Sequence, residues 1–166
     1  MSNIILKDLM PSDGHDIYHM LQTIGKEENE FHNDVNGLSY DEFKKWLVIQ
    51  YNWAHGIDLP KGFVKQWTFW LYVEGTPVGY GKLREKLTES SRRIGGNIGY
   101  AISFPERGKG YGSILFQMLL EKAKEIKIET IISTVEKNNP SSKRIQEKCG
   151  GVLFKENYER WFYRFY

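Results

Sequence analysis

The segment that most restricts the fold is Ile102-Ser-Phe-Pro-Glu-Arg-Gly-Lys-Gly-Tyr-Gly-Ser113, an extended run that passes into a glycine-rich turn and then opens a helix. Gly108, Gly110 and Gly112 take side chains away where backbone N–H groups must converge on something bulky and negative. The N-terminus of the following helix adds a dipole equivalent to about half a positive charge. Arg107 and Lys109 add formal charge at the rim. A pyrophosphate suits such a cradle, and the spacing separates the kinds of turn that hold one. The P-loop pattern, Gly-x-x-x-x-Gly-Lys-Ser/Thr, is absent. A dinucleotide fingerprint fails at its third glycine, and Pro105-Glu106 separate the turn from its strand. What remains is Arg/Gln-x-x-Gly-x-Gly/Ala, which Arg107-Gly-Lys-Gly110-Tyr-Gly112 satisfies.

Around this turn the hydrophobic pattern alternates between periods of two and of 3.6. Ile4 to Leu9 reads as a strand, and Ile17, Met20, Leu21 and Ile24 mark a helix after Pro11-Ser12-Asp13. Lys26 to Asp34 is polar and acidic. Ser39-Tyr-Asp-Glu42 is a capping box that opens a second helix carrying Phe43, Trp46 and Leu47. Gln66–Val73 and Val78–Arg84 around Glu74–Pro77 predict a β-hairpin, Glu85–Gly96 a loop, and Asn97–Phe104 the strand that enters the glycine turn. An amphipathic helix follows from Lys109 to about Ile126. Then come a strand, Glu129–Val135, and a helix from Pro140 to Cys149 with Asn139 as its N-cap. Gly150-Gly151 ends that helix before two final strands, Val152–Phe154 and Tyr158–Phe165. The order predicts an α/β or α+β domain around a mixed sheet.

Composition narrows the function. A chain of 166 residues is expected to form one domain, residues 1–166, and a 14% aromatic content is not that of a disordered chain. A net charge of +2 gives no ground for nucleic-acid or membrane binding. The single cysteine, Cys149, excludes an internal disulfide and a Cys-rich zinc site, and its place at a helix end disfavours the thiolate. His15 and His19 lack the glutamate and third ligand of a metalloprotease helix, so no metal is expected. No leader pattern and no stretch of about 20 apolar residues occurs, which predicts a cytoplasmic protein. Trp46, Tyr51, Trp53, Trp67 and Trp70 either floor an acceptor pocket or pack in the core, with the core favoured. The aromatics from Tyr158 to Tyr166 either form a homodimer edge or complete the sheet.

The stretch Ile98–Gly151 resembles the GNAT superfamily of acetyl-CoA-dependent N-acetyltransferases. It carries the strand, Arg107-x-x-Gly-x-Gly, the amphipathic helix, the next strand, and then Asn139 followed three residues later by Ser142 on a short helix. Gly95-Gly-Asn-Ile-Gly-Tyr100 and Gly150-Gly151 are most similar to a bacterial subgroup of predicted acetyltransferases. The resemblance implies a mostly antiparallel central sheet of six to seven strands flanked by about four helices. It also implies acetyl-CoA bound by the turn from Arg107 to Ser113, that is Arg107, Gly108, Lys109, Gly110, Tyr111, Gly112 and Ser113. The pantetheine arm would lie along the strand ending at Ile102, and Asn139 and Ser142 would contact the cofactor from the far side. Asn139 is equally explained as a helix cap.

The implied reaction moves an acetyl group onto a primary amine of a small molecule or peptide. An amine of ordinary pKa near 10.4 must first lose its proton. The family's usual general acid, a tyrosine seven residues after the motif asparagine, is here Gln146, and its usual strand glutamate falls at Gly96-Asn97. Substitutes are Glu30 acting as base through a water and Tyr158 as donor. The acidic residues Glu27, Glu28, Glu30 and Asp34 either attract a cationic acceptor or form a solvated surface, the latter favoured. With both usual catalytic positions altered, a non-catalytic acyl-CoA-binding sensor of the same fold is the alternative.

Overall fold

In the computed structural model, which describes residues 3–166, the chain begins with β1 (Ile4–Asp8), α1 (His15–Gln22), β2 (Glu27–Glu28), β3 (Phe31–His32) and α2 (Tyr40–Ala54). It continues through β4 (Gln66–Val73), β5 (Thr76–Arg84), α3 (Glu89–Arg93) and β6 (Ile98–Ile102). A 3₁₀ turn, Phe104–Glu106, leads to α4 (Tyr111–Glu125), β7 (Ile131–Glu136), α5 (Pro140–Lys148), β8 (Val152–Glu156) and β9 (Arg160–Phe165). Three sheets result, in the orders β1-β4-β5-β6, β7-β9-β8 and the small β2-β3, and every strand pairing in them is antiparallel.

β4 sets the layering. Its residues from Thr68 to Val73 are all buried, because helices cover both of its faces. Phe69, Leu71 and Val73 join Leu115, Phe116 and Leu119 of α4 in one core. Trp70 and Tyr72 point the other way and pack with Tyr80, Trp46, Ile17 and Leu21 beneath α1 and α2. Trp46 and Trp70 are thus core residues, and Trp53 packs on Phe63, 5.3 Å between rings. α4 also covers the second sheet through Ile131, Val135, Tyr163 and Phe165.

The central sheet is split between β6 and β7, joined only at their beginnings. There the Asn97 N–H donates to Ile132 O at 2.9 Å, and the Asn97 side chain bridges the Ile132 N–H and Thr130 O. A Cβ on Gly96 would sit 2.0 Å from Ile132 O, so no other residue fits this junction without backbone movement. From it the strands diverge and leave a cleft.

Two local features differ from expectation, and a third decides between alternatives. The acidic stretch folds into the β2–β3 hairpin, whose two turn residues, Asn29 and Glu30, both have positive φ, 49° and 64°. The segment read as a loop contains α3, closed by a capping box between Thr88 and Ser91, so the α-helices number five among the described residues. At the C-terminus β9 lies between β7 and β8, so these aromatics complete a sheet. No described helix is long and apolar enough to cross a membrane.

Candidate active site

The cleft has a volume of about 470 Å³ and is lined by β6 and β7, the glycine turn, the start of α5 and the β2–β3 hairpin. Of the residues expected to hold a cofactor, Ile102, Arg107, Gly108, Gly110, Tyr111, Gly112, Ser113, Asn139 and Ser142 all line it. Lys109 does not: it is exposed at the rim, and its ammonium pairs with Glu106 at 2.8 Å.

Gly110 occupies the N-cap position of α4 with φ 86°, the left-handed region where glycine is at home, and no side chain caps the helix. By contrast Ser39, Thr88 and Asn139 cap α2, α3 and α5 with their side chains. The N–H groups of Gly110, Tyr111, Gly112 and Ser113 therefore find no acceptor among the described residues, and these residues line the cleft. Nothing stands within 4 Å of where a Cβ on Gly108 or Gly110 would lie, so the space in front of these donors is open. An anion such as a pyrophosphate fits this end of the cleft.

β6 offers a second set of donors. The bonds from Arg84 N–H to Asn97 O and from Ser103 N–H to Val78 O set the phase of its ladder with β5. By alternation the peptide groups of Tyr100 and Ile102 turn away from β5 into the cleft. Arg107 Nε already takes the Ile102 carbonyl, at 3.0 Å. Across the cleft Asn139 Oδ1 accepts from Ser142 N–H at 3.3 Å, which is the capping role, and its amide nitrogen has no protein partner.

The two residues considered for proton transfer fare differently from expectation. Tyr158 lies on the turn between β8 and β9, 97% exposed and outside the cleft, where it can deliver no proton to a reacting group. Glu30 does line the cleft, but both of its carboxylate oxygens are bound by the Arg160 guanidinium. Burial alone would raise its pKa, yet the Arg160 pairing outweighs this and holds it below the ordinary carboxylate value, making it a weak base. Glu136, at the end of β7, stands beside Glu30 and lies 3.9 Å from Arg160. That contact with a second carboxylate raises its pKa, followed by a smaller effect of burial. Glu28 is likewise spent on an arginine, Arg107, at 2.5 Å, and Asp34 pairs with His32 at 2.7 Å.

A family model described as an acetyltransferase (GNAT) domain matches residues 3–152. The chain belongs to the GNAT acetyltransferase family. No curated protein matches it by sequence. Among solved structures it is similar to ribosomal-protein-S5-alanine acetyltransferase from Vibrio fischeri, with TM-score 0.72 and 13% identity over 99% of this chain and 96% of that one. It is also similar to a ribosomal L7/L12 α-N-protein acetyltransferase in complex with coenzyme A, with TM-score 0.69 and 12% identity over 98% and 93% of the two chains. A spermidine N-acetyltransferase from Vibrio cholerae gives TM-score 0.64 and 17% identity over 98% and 92%. Identities this low establish a shared GNAT fold.

Within this GNAT fold Gln146 is only 2% exposed and does not reach the cleft; its amide nitrogen lies 3.5 Å from Ser142 Oγ. Ser142 Oγ is instead 2.8 Å from the hydroxyl of Tyr100, which crosses from β6 to α5 along the cleft wall. Burial pushes that phenol up to about 12 despite the hydrogen bond with Ser142. Tyr100, Glu136, Lys82, Arg84 and Arg160 were not singled out from the sequence. The usable signal was Tyr80-Gly-Lys82-Leu-Arg84, where alternation puts one tyrosine and two cations on a single strand face.

Proposed function

We propose that the protein transfers an acetyl group from acetyl-CoA to the primary amine of a small molecule or peptide, by direct attack within a ternary complex, with residues 1–166 acting as one domain. The observation that carries this reading is the uncapped start of α4, whose unpaired N–H groups from Gly110 to Ser113 open onto the cleft. Those groups, with Arg107, would bind the pyrophosphate. The peptide edge of Tyr100 and Ile102 would hold the pantetheine as an added strand, opposite the free amide nitrogen of Asn139.

Acetyl-CoA supplies a thioester whose carbonyl carbon accepts the amine as the C–S bond breaks. An N–H on the β6 edge is suited to the developing oxyanion. Glu136 is placed to take the proton that the amine gives up, because its neighbour Glu30 raises its basicity while Arg160 holds both carboxylates. The departing thiolate, with a thiol pKa near 8.5, needs a hydrogen bond more than a proton, and the Tyr100–Ser142 hydroxyl pair can donate one. The burial of Gln146 favours a second reading, an acyl-CoA-binding module without transfer.

Calorimetric titration with acetyl-CoA, with CoA and NAD as controls, tests the cradle. Micromolar binding of acetyl-CoA and CoA is expected, with no binding of NAD and a loss of at least 100-fold in Gly110→Glu. Absence of CoA binding would overturn the reading. Release of free thiol with an amine panel then separates enzyme from binding module.

A further inference from the structure

Two cations stand on the cleft wall with no carboxylate in ion-pair contact; the nearest opposing charge felt by Lys82 is Asp34, which is itself paired with His32. Lys82 is 8% exposed; its ammonium donates to His32 O at 2.5 Å and lies over the rings of Phe31 and Tyr80, 4.6 and 5.0 Å from their centroids. Arg84, two residues further on the same face of β5, donates Nη1 to Gly96 O at 3.0 Å. Among the described residues no carboxylate lies within 4.0 Å of either. The other two arginines near the cleft are compensated, Arg107 by Glu28 and Arg160 by Glu30. Buried charges are ordinarily paired, so a neighbouring pair of like charges left with spare donors marks a place where an anion is missing.

The cation pair is separate from the pyrophosphate cradle. Leu83, between the two, packs against α4, whereas Tyr80 on their own face packs under α1 and α2. Lys82 and Arg84 therefore face away from α4, whose N-terminus forms the cradle. The register sets Lys82 opposite Gly99, whose face the Phe31 ring covers, and Lys82, Arg84 and Phe31 all line the cleft.

We propose that Lys82 and Arg84 bind an anionic group of the acceptor, so that the substrate is a small amine that also carries a carboxylate or a phosphate. This inference rests on the acetyltransferase reading above and names its substrate class. The acceptor's anion would sit on β5 and its amine toward Glu136 on β7, both of which line the same cleft. A polyamine lacks the group that would neutralise the two cations and brings further like charge to them. Burial, with Arg84 beside it, pushes the Lys82 ammonium down to about 8, and an anion would hold its proton in place.

Calorimetry on the protein saturated with CoA tests this with matched pairs: L-lysine against cadaverine for a carboxylate, and glucosamine 6-phosphate against glucosamine for a phosphate. The anionic member of at least one pair is expected to bind at least tenfold tighter, and which pair responds tells carboxylate from phosphate. That preference should be lost in Lys82→Met and in Arg84→Met and kept in Lys82→Arg, with melting temperatures recorded to verify folding. Equal binding of both members, binding of neither, or a preference that survives both methionine variants would overturn the proposal. Failure of CoA itself to bind would instead remove the reading beneath it.

Discussion

Lys82 illustrates how one side chain can hold a site at the expense of stability. An exposed lysine in the unfolded chain titrates near 10.4, whereas in the fold burial first, and Arg84 second, bring Lys82 down to about 8. Below pH 8 both states carry the proton and the folded state bears the whole penalty of burying it. Between about pH 8 and 10.4 the unfolded chain binds more protons, so this group makes stability rise with pH. Lys82→Met should therefore be more stable than the parent at pH 7, by about 1–3 kcal/mol, with the gap closing toward pH 10. Urea denaturation at the two pH values checks both sign and window. Tyr100 gives a kinetic counterpart. Its phenol keeps its proton well beyond neutral pH, so in the proposed transfer its part is that of a hydrogen-bond donor. Tyr100→Phe should lower kcat about tenfold and leave the acetyl-CoA KM within twofold, whereas a purely packing role would show in the melting temperature instead.

At the scale of elements the decisive junction is that of β6 with β7. Gly96 has φ 63° and its missing Cβ would fall 2.0 Å from a main-chain oxygen that cannot swing aside. Gly96→Ala should cost more than about 3 kcal/mol and weaken CoA binding by shifting the cleft walls, which denaturation and calorimetry together would show. This junction also marks the limit of what the sequence discloses. The amphipathic α4 was legible because its pattern is long and periodic, β4 because aromatic and β-branched residues crowd it, and the cradle because Arg107 to Ser113 is contiguous. The β2–β3 hairpin escaped because each strand has two residues and its turn is Asn29-Glu30 in place of Asn-Gly. α3 escaped for a similar reason, being five residues long. The split of the sheet depends on Gly96 meeting Ile132, far apart in the chain. Likewise Lys82 and Glu136 line one cleft from different strands, with Arg160 reaching Glu136 from a third, and no local pattern announces that they meet.

For the whole molecule, Arg160 ties the first half of the chain to the last. It sits on β9, binds Glu30 in the hairpin and faces Glu136 on β7. Arg160→Met would leave two carboxylates confronting each other in a half-buried place, and a loss of about 3 kcal/mol is expected at pH 7. The loss should shrink at pH 4, where protonation relieves the repulsion; melting curves at the two pH values decide it. The bare start of α4 has a consequence of its own for the folded state. Because its donors have no internal partner, any ligand that satisfies them binds the native protein alone, and occupancy becomes readable as heat resistance. At a ligand concentration 100 times its Kd the native state gains about 2.7 kcal/mol, so a simple melting curve serves as a thermometer for whatever the cradle accepts.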